Sequence, residues 1–136
     1  VYKRQVPALI EWNRTFLVEH NGPLLEDPRT RIYLGDMYDC LKKAGKGGYD
    51  AILIDIDNTP DDLITSGNNR LYTPQFLQGI MAALKPGGAV TYWLSEPVPR
   101  FLKLLRKTGF EVEETAAKPH EKSKRARHCI YRARRR

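Results

Sequence analysis

The sequence predicts an α/β domain whose sheet is mostly parallel, with one antiparallel strand at its end and helices on both faces. Three observations predict it. Strand-like and helix-like segments alternate through the middle of the chain, which implies right-handed crossovers. The run Ala51 to Ile54 is apolar without alternation, as in a strand covered on both sides. Two strands then follow each other at the end with no helix between them, so one of them runs backwards.

The elements follow in order. Val1-Tyr2-Lys3-Arg4-Gln5 has no apolar period. It resembles the translation of GTG TAT AAG AGA CAG, the end of a transposon adapter, so residues 1–5 are set aside as non-native. On that reading the natural chain is cut at Val6, and residues 6–136 are the C-terminal part of a single domain. Pro7 opens a helix, where its missing N–H costs nothing. Leu9, Trp12 and Phe16 form its stripe, with Trp12 expected in the core, and Asn21-Gly22-Pro23 stops it. Asp27-Pro28-Arg29 is a turn. Arg31 to Leu34 is a short strand ending at Gly35-Asp36, and a helix runs from about Met37 to Lys43.

Tyr49 to Asp55 is the continuous apolar strand. Residues 56–72 form a long polar loop, and loops of that length are usually functional. Thr73-Pro74 caps a helix whose stripe is Phe76, Leu77, Ile80, Met81 and Leu84. Lys85-Pro86-Gly87-Gly88 ends it, and Ala89 to Leu94 is the next strand. Pro99 to Thr108 is a helix closed by Gly109. Phe110 to Ala117 and His128 to Ala133 are the last two strands.

Composition narrows the class. The 136 residues are 41% hydrophobic, enough to build a core. No apolar run approaches the roughly 20 residues of a membrane helix, and no signal segment is present, so a cytoplasmic chain without membrane contact is expected. Cys40 and Cys129 are far apart and read as reduced thiols. No zinc spacing, Walker loop or nucleophile elbow occurs, and no metal is expected. Residues 118–136 hold nine Lys or Arg against Glu121, a net +8 that leaves −1 for residues 1–117 out of the total +7. Lys122, Lys124, Arg125, Arg127, Arg132, Arg134, Arg135 and Arg136 invite a nucleic-acid partner. Such a charge run is more often a solvated loop plus a frayed terminus, which is the expectation here, and no aromatic residue interleaves 122–127 to stack bases.

The order of elements, with its reversed last strand, resembles the Rossmann-like class I methyltransferase fold. Leu84-Lys85-Pro86-Gly87-Gly88-Ala89 looks like the turn before that fold's fifth strand, and Thr108-Gly109-Phe110-Glu111-Val112 like the junction into its sixth. Asp27-Pro28-Arg29 leading to Gly35-Asp36, Tyr49-Asp50-Ala51-Ile52-Leu53-Ile54-Asp55, and Leu71-Tyr72 resemble the spermidine synthases, the polyamine aminopropyltransferases.

That resemblance covers about residues 6–134 and implies strand order 3-2-1-4-5-7-6. The first two strands and the glycine-rich loop would then lie before Val6. A chain without them is expected to be inactive, with strand 31–34 displaced.

The resemblance also implies an activity: transfer of an aminopropyl group from decarboxylated S-adenosylmethionine to a small-molecule diamine. Asp36 would accept a hydrogen bond from the adenine amino group, and Met37 would pack on the ring. Asp55 would be the acid beside the reacting amine, and Asp57, Asn58 and Tyr72 would hold the substrate. A homodimer of the full-length protein is compatible with it.

The sequence departs from the family where substrate is chosen. The usual Asp-Ser-x-Asp-Pro is here Asp55-Ile56-Asp57-Asn58-Thr59-Pro60, and Ser66-Gly67-Asn68-Asn69 replaces Gly-Pro-Ala. Two alternatives stay open: an S-adenosylmethionine-dependent methyltransferase acting on a small molecule or RNA, and a non-catalytic domain of the same fold. The Asn- or Asp-Pro-Pro-aromatic run of base methylases is absent.

The residues themselves carry some chemistry. In open α/β sheets, ligands lie beyond the carboxyl ends of the strands, where Asp36 and Asp55 are expected. Asp55, Asp57, Asp61 and Asp62 put four carboxylates into eight residues, a set that repels itself unless a cation offsets it. A polyamine supplies one. Its ammonium must lose a proton before nitrogen can attack carbon beside a sulfonium, and Asp55 is the candidate base. Asp57, Asp61 and Asp62 are also good turn formers, and Asp36 a good helix cap.

Overall fold

A computed structural model describes residues 5–55, 59–60, 66–118, 123 and 128–136. The chain divides into two units, Val1–Cys40 and Leu41–Arg136.

The first unit carries α1 (Gln5–Thr15) and α2 (Val18–Glu26). The amides of Phe16 and Leu17 both bond the Trp12 carbonyl, at 2.9 Å each, and that shared acceptor ends α1. The expected stop at Asn21-Gly22-Pro23 is not one, because these residues lie inside α2. Gly22 is buried against Val18, and a Cβ there would meet the valine Cγ2 at 2.9 Å. Asn21 Nδ2 donates to Asn13 Oδ1 at 2.6 Å, tying α2 to α1. Contact between the helices thus outweighs the one backbone bond that Pro23 forgoes. The α1 stripe is not core: Trp12 is 51% exposed and Phe16 81%.

The turn at Asp27 forms as expected, with the Thr30 amide on the Asp27 carbonyl at 2.8 Å. Arg29 donates to the Asp27 carboxylate and holds its pKa below the usual value. Residues 31–34, expected as a strand displaced from the sheet, join no ladder among the described residues. A strand exists only through a neighbour, and all four described strands pair among themselves in the second unit. α3 (Met37–Ala44) begins directly after Asp36.

The second unit is a four-stranded sheet in the order β1-β2-β4-β3. The strands are β1 (Tyr49–Ile54), β2 (Leu84–Leu94), β3 (Glu111–Ala117) and β4 (His128–Arg134). β1 and β2 are parallel, and β4 is antiparallel to both β2 and β3, so the last strand is the reversed one. α4 (Pro74–Ala83) and α5 (Pro99–Thr108) follow β1 and β2. Thr73 caps α4, accepting the Phe76 N–H at 3.3 Å.

Register decides which side is core. Ile52 pairs with Val90 and Ile54 with Tyr92. On the other side of β2, Val90 pairs with Ala133, Tyr92 with Tyr131 and Leu94 with Cys129. These eight side chains share one face and are all buried. Phe76, Leu77 and Ile80 of α4 and Phe101 and Leu105 of α5 complete this core. β1 was expected to be buried continuously. Its burial alternates instead, and Leu53 is 78% exposed on the opposite face. Period-2 alternation is what a strand shows when only one of its faces is packed.

β2 starts at Leu84, five residues before the expected strand. The register jumps from Tyr49–Leu84 to Ala51–Ala89, so residues 85–88 bulge outward, with Gly87 at φ 78°. Lys85 Nζ meets the Asp50 carboxylate at 2.8 Å across that bulge. The Gly87 amide bonds the Arg135 carbonyl at 3.0 Å, and the Arg135 amide bonds the Gly88 carbonyl at 2.8 Å. Arg135 Nη1 donates to the carbonyls of Met81, at 3.0 Å, and Leu84. The expected frayed terminus is therefore a clamp on the end of α4. Lys122, Lys124, Arg125 and Arg127 lie outside the described residues. Among the described residues no helix is long and apolar enough to cross a membrane.

Candidate functional site

The site is sought at the carboxyl ends of β1 and β2, where loops rather than neighbouring strands receive the chain. β1 ends at Ile54, opposite Tyr92, and β2 continues to Leu94. Asp55 is the first residue past β1 and is exposed. Thr59, a few residues on, is 2% exposed. A 3₁₀ helix, Ser66–Tyr72, brings the loop back to α4.

Tyr72, at its end, is half-buried. Its ring stands edge-on to Phe101 at 5.0 Å and lies 6.1 Å from Tyr92. Phe101 in turn stands edge-on to Tyr92 at 4.8 Å and lies 6.3 Å from Tyr131. Such pairs add about 0.5–1.5 kcal/mol each beyond their burial. Four rings from β2, β4, α5 and the 3₁₀ helix thus make an aromatic floor beneath the strand ends.

The floor has polar edges. The Tyr92 hydroxyl reaches the Leu71 carbonyl at 3.5 Å, the long limit for such a bond. Burial, reinforced by Tyr72 nearby, drives the Tyr92 pKa upward. The Tyr131 hydroxyl accepts the Val98 N–H at 2.8 Å. Burial pushes the Tyr131 pKa to about 12 and that of the Cys129 thiol to about 11, the latter helped by the Glu114 carboxylate.

Asp55 and Tyr72 are therefore brought to one end of one sheet. Asp36 and Met37 belong to the first unit. Asp36 Oδ1 accepts the Tyr38 N–H at 2.8 Å, and its carbonyl takes the Asp39 and Cys40 amides at 3.1 Å, so it caps α3, and Met37 is the first helical residue. Asp57 and Asn58 lie outside the described residues, as do Asp61 and Asp62. Among the described residues, no three His, Cys, Asp or Glu side chains cluster as metal ligands.

Tyr92, Phe101 and Tyr131 were not singled out by sequence reasoning. One signal was there: Cys129, Tyr131 and Ala133 alternate with Ile130 and Arg132, the period of a strand with one buried face.

Residues 7–99 match the family model of the spermine/spermidine synthase domain. The chain is 34% identical over 84 residues to a polyamine aminopropyltransferase of Corynebacterium efficiens, covering 60% of this chain and 15% of that protein. It is 30% identical over 114 residues to a polyamine aminopropyltransferase of Mycobacterium tuberculosis, covering 78% of this chain and 21% of that one. The chain thus spans about a fifth or less of these curated relatives. Among solved structures, the spermidine synthase of Thermotoga maritima superposes with a TM-score of 0.62 at 21% identity, over 95% of this chain and 43% of that one. A spermidine synthase in complex with the transition-state analogue AdoDATO gives 0.60 at 18%, over 95% and 44%. These likenesses show the fold, the Rossmann-like one of the class I methyltransferases.

Proposed function

Because the chain belongs to the spermine/spermidine synthase family, we propose that the protein carrying it moves an aminopropyl group from decarboxylated S-adenosylmethionine to a small diamine. One observation carries the reading: the family match over residues 7–99 takes in both acidic phrases, Gly35-Asp36-Met37 ahead of α3 and Ile54-Asp55 at the end of β1.

The chemistry assigns the roles. The amine nitrogen attacks the carbon beside the sulfonium, the carbon–sulfur bond breaks, and its electron pair stays on sulfur as a neutral thioether. The amine must first give up a proton. Asp55, exposed at the end of β1, is the group that takes it. Asp36 is an acceptor of fixed direction, because the Tyr38 N–H holds one of its oxygens. That suits the donor's adenine amino group, with Met37 packed on the ring. Tyr72 shapes the acceptor side, and Asp57 and Asn58 complete it.

The departure at Asp55-Ile56-Asp57-Asn58-Thr59-Pro60 favours keeping one rival, methyl transfer from S-adenosylmethionine. The protein is incubated with each donor and putrescine, and the products are weighed. A mass gain of one aminopropyl group supports the proposal; a methylated product, or none from the decarboxylated donor, sinks it. Asp55→Asn should lower kcat by about 10²-fold or more, and unchanged turnover removes Asp55 from the role of base.

A further inference from the structure

The turn between β2 and α5 reads Ser95-Glu96-Pro97-Val98-Pro99. Prolines flank Val98, so its N–H is the one backbone donor across residues 97–99. Val98 is 6% exposed, and an unpaired N–H there would have little water to turn to. Val98 is also the N-cap of α5 and, being valine, makes no side-chain cap. In a capping box, the third helical residue accepts the N-cap N–H with a Glu or Gln side chain. Here that residue is Phe101, which has no acceptor.

The missing acceptor comes from another strand. Tyr131, fully buried on β4 opposite Tyr92, takes the Val98 N–H at 2.8 Å. Its side chain is fully buried, with Phe101 alongside at 6.3 Å, so the hydroxyl has little room to move away. The turn it holds follows the carboxyl end of β2, beside the end of β1 that carries Asp55. It displays the exposed carboxylate of Glu96.

We propose that Tyr131 is a positioning residue: its hydroxyl, through Val98, fixes the Ser95–Val98 turn so that Glu96 faces a cationic amine acceptor. This rests on the transferase reading above. It adds a fully buried residue on the reversed last strand to the determinants of acceptor affinity.

Tyr131→Phe keeps the ring and removes the acceptor. In the protein carrying this chain, the Val98 amide should exchange with deuterium about tenfold faster, the worth of one hydrogen bond. The Kd of putrescine, by calorimetry, should rise several-fold. The KM for putrescine should rise likewise, with the donor KM and kcat within about twofold. An unchanged Val98 exchange rate, or a fall in kcat with both KM values rising together, overturns the proposal, the second because it marks general damage. Should Tyr131→Phe not fold, Glu96→Gln at its exposed position must weaken putrescine binding, and unchanged binding overturns the proposal too. Wild-type protein that binds putrescine without transferring to it sinks the transferase reading alone. Wild-type protein that binds no amine sinks both.

Discussion

Replacing Arg135 with alanine tests whether the basic C-terminus is a solvated tail or part of the fold. Arg135 Nη1 bonds the carbonyls of Met81 and Leu84. The Met81 carbonyl belongs to the last turn of α4, among the carbonyls that a helix leaves without an internal partner. A charged donor on such a group contributes about 1.5–3 kcal/mol, and a cation at a helix C-terminus about 0.3–1. Because the side chain is only half-buried, a net loss of about 2 kcal/mol is expected. The backbone pairs of Arg135 with Gly87 and Gly88 survive the substitution, so the loss reports the guanidinium alone. For a unit the size of Leu41–Arg136 that is a fall in Tm of roughly 10 °C. Arg135→Lys should recover about half of it, having the charge but not the fork. Arg136→Ala, at an exposed position, should change stability by less than about 0.5 kcal/mol. Urea melts of the three variants at 0.1 and 0.5 M salt decide it. Equal midpoints for Arg135→Ala and Arg136→Ala, or a loss that salt abolishes, would refute the clamp.

Thr73→Ala removes the acceptor of the Phe76 N–H and should cost about 1 kcal/mol in urea unfolding, with Thr73→Ser restoring most of it. Cys129 has its pKa pushed to about 11 and Tyr131 to about 12, from ordinary values of 9.0 and 10.0. Both are raised in the folded chain, so the stability they contribute is complete below about pH 9 and is lost as pH climbs through 11 to 12. Melting midpoints should therefore be level to pH 9 and fall above it, with Cys129→Ser flattening the first part of the fall. A midpoint that holds steady to pH 12 contradicts this. At pH 8 a thiol reagent should label half-buried Cys40 well before Cys129.

The elements with local punctuation were legible. α5 runs from Pro99 to Thr108 as its proline and Gly109 predict, and α4 starts behind Thr73 as its cap predicts. What failed were inferences that needed a partner. Asn21-Gly22-Pro23 looks like a stop until Asn21 meets Asn13 of α1. Residues 31–34 look like a strand, but they join no ladder among the described residues. Ala51 to Ile54 reads as buried on both sides because its residues are all apolar, yet apolarity states a preference and not an outcome: Ile52 and Ile54 are covered while Leu53 is not.

The site divides along the same line. Asp36 and Asp55 could be named because each follows a short strand-like run, a signal within a few residues. The rings on the core face at that end of the sheet could not, because Tyr92 and Tyr131 meet only through the register of β2 and β4, 39 residues apart in the chain. A slip of one residue in that ladder would turn Tyr131 to the opposite face and send Ile130 or Arg132 inward. The Val98 N–H, shut between two prolines, would then lose its acceptor. Fidelity of the β2–β4 register is thus a condition for the shape of the loop beside Asp55. Substitutions on β4 should accordingly be read through what they do to the Ser95–Val98 turn.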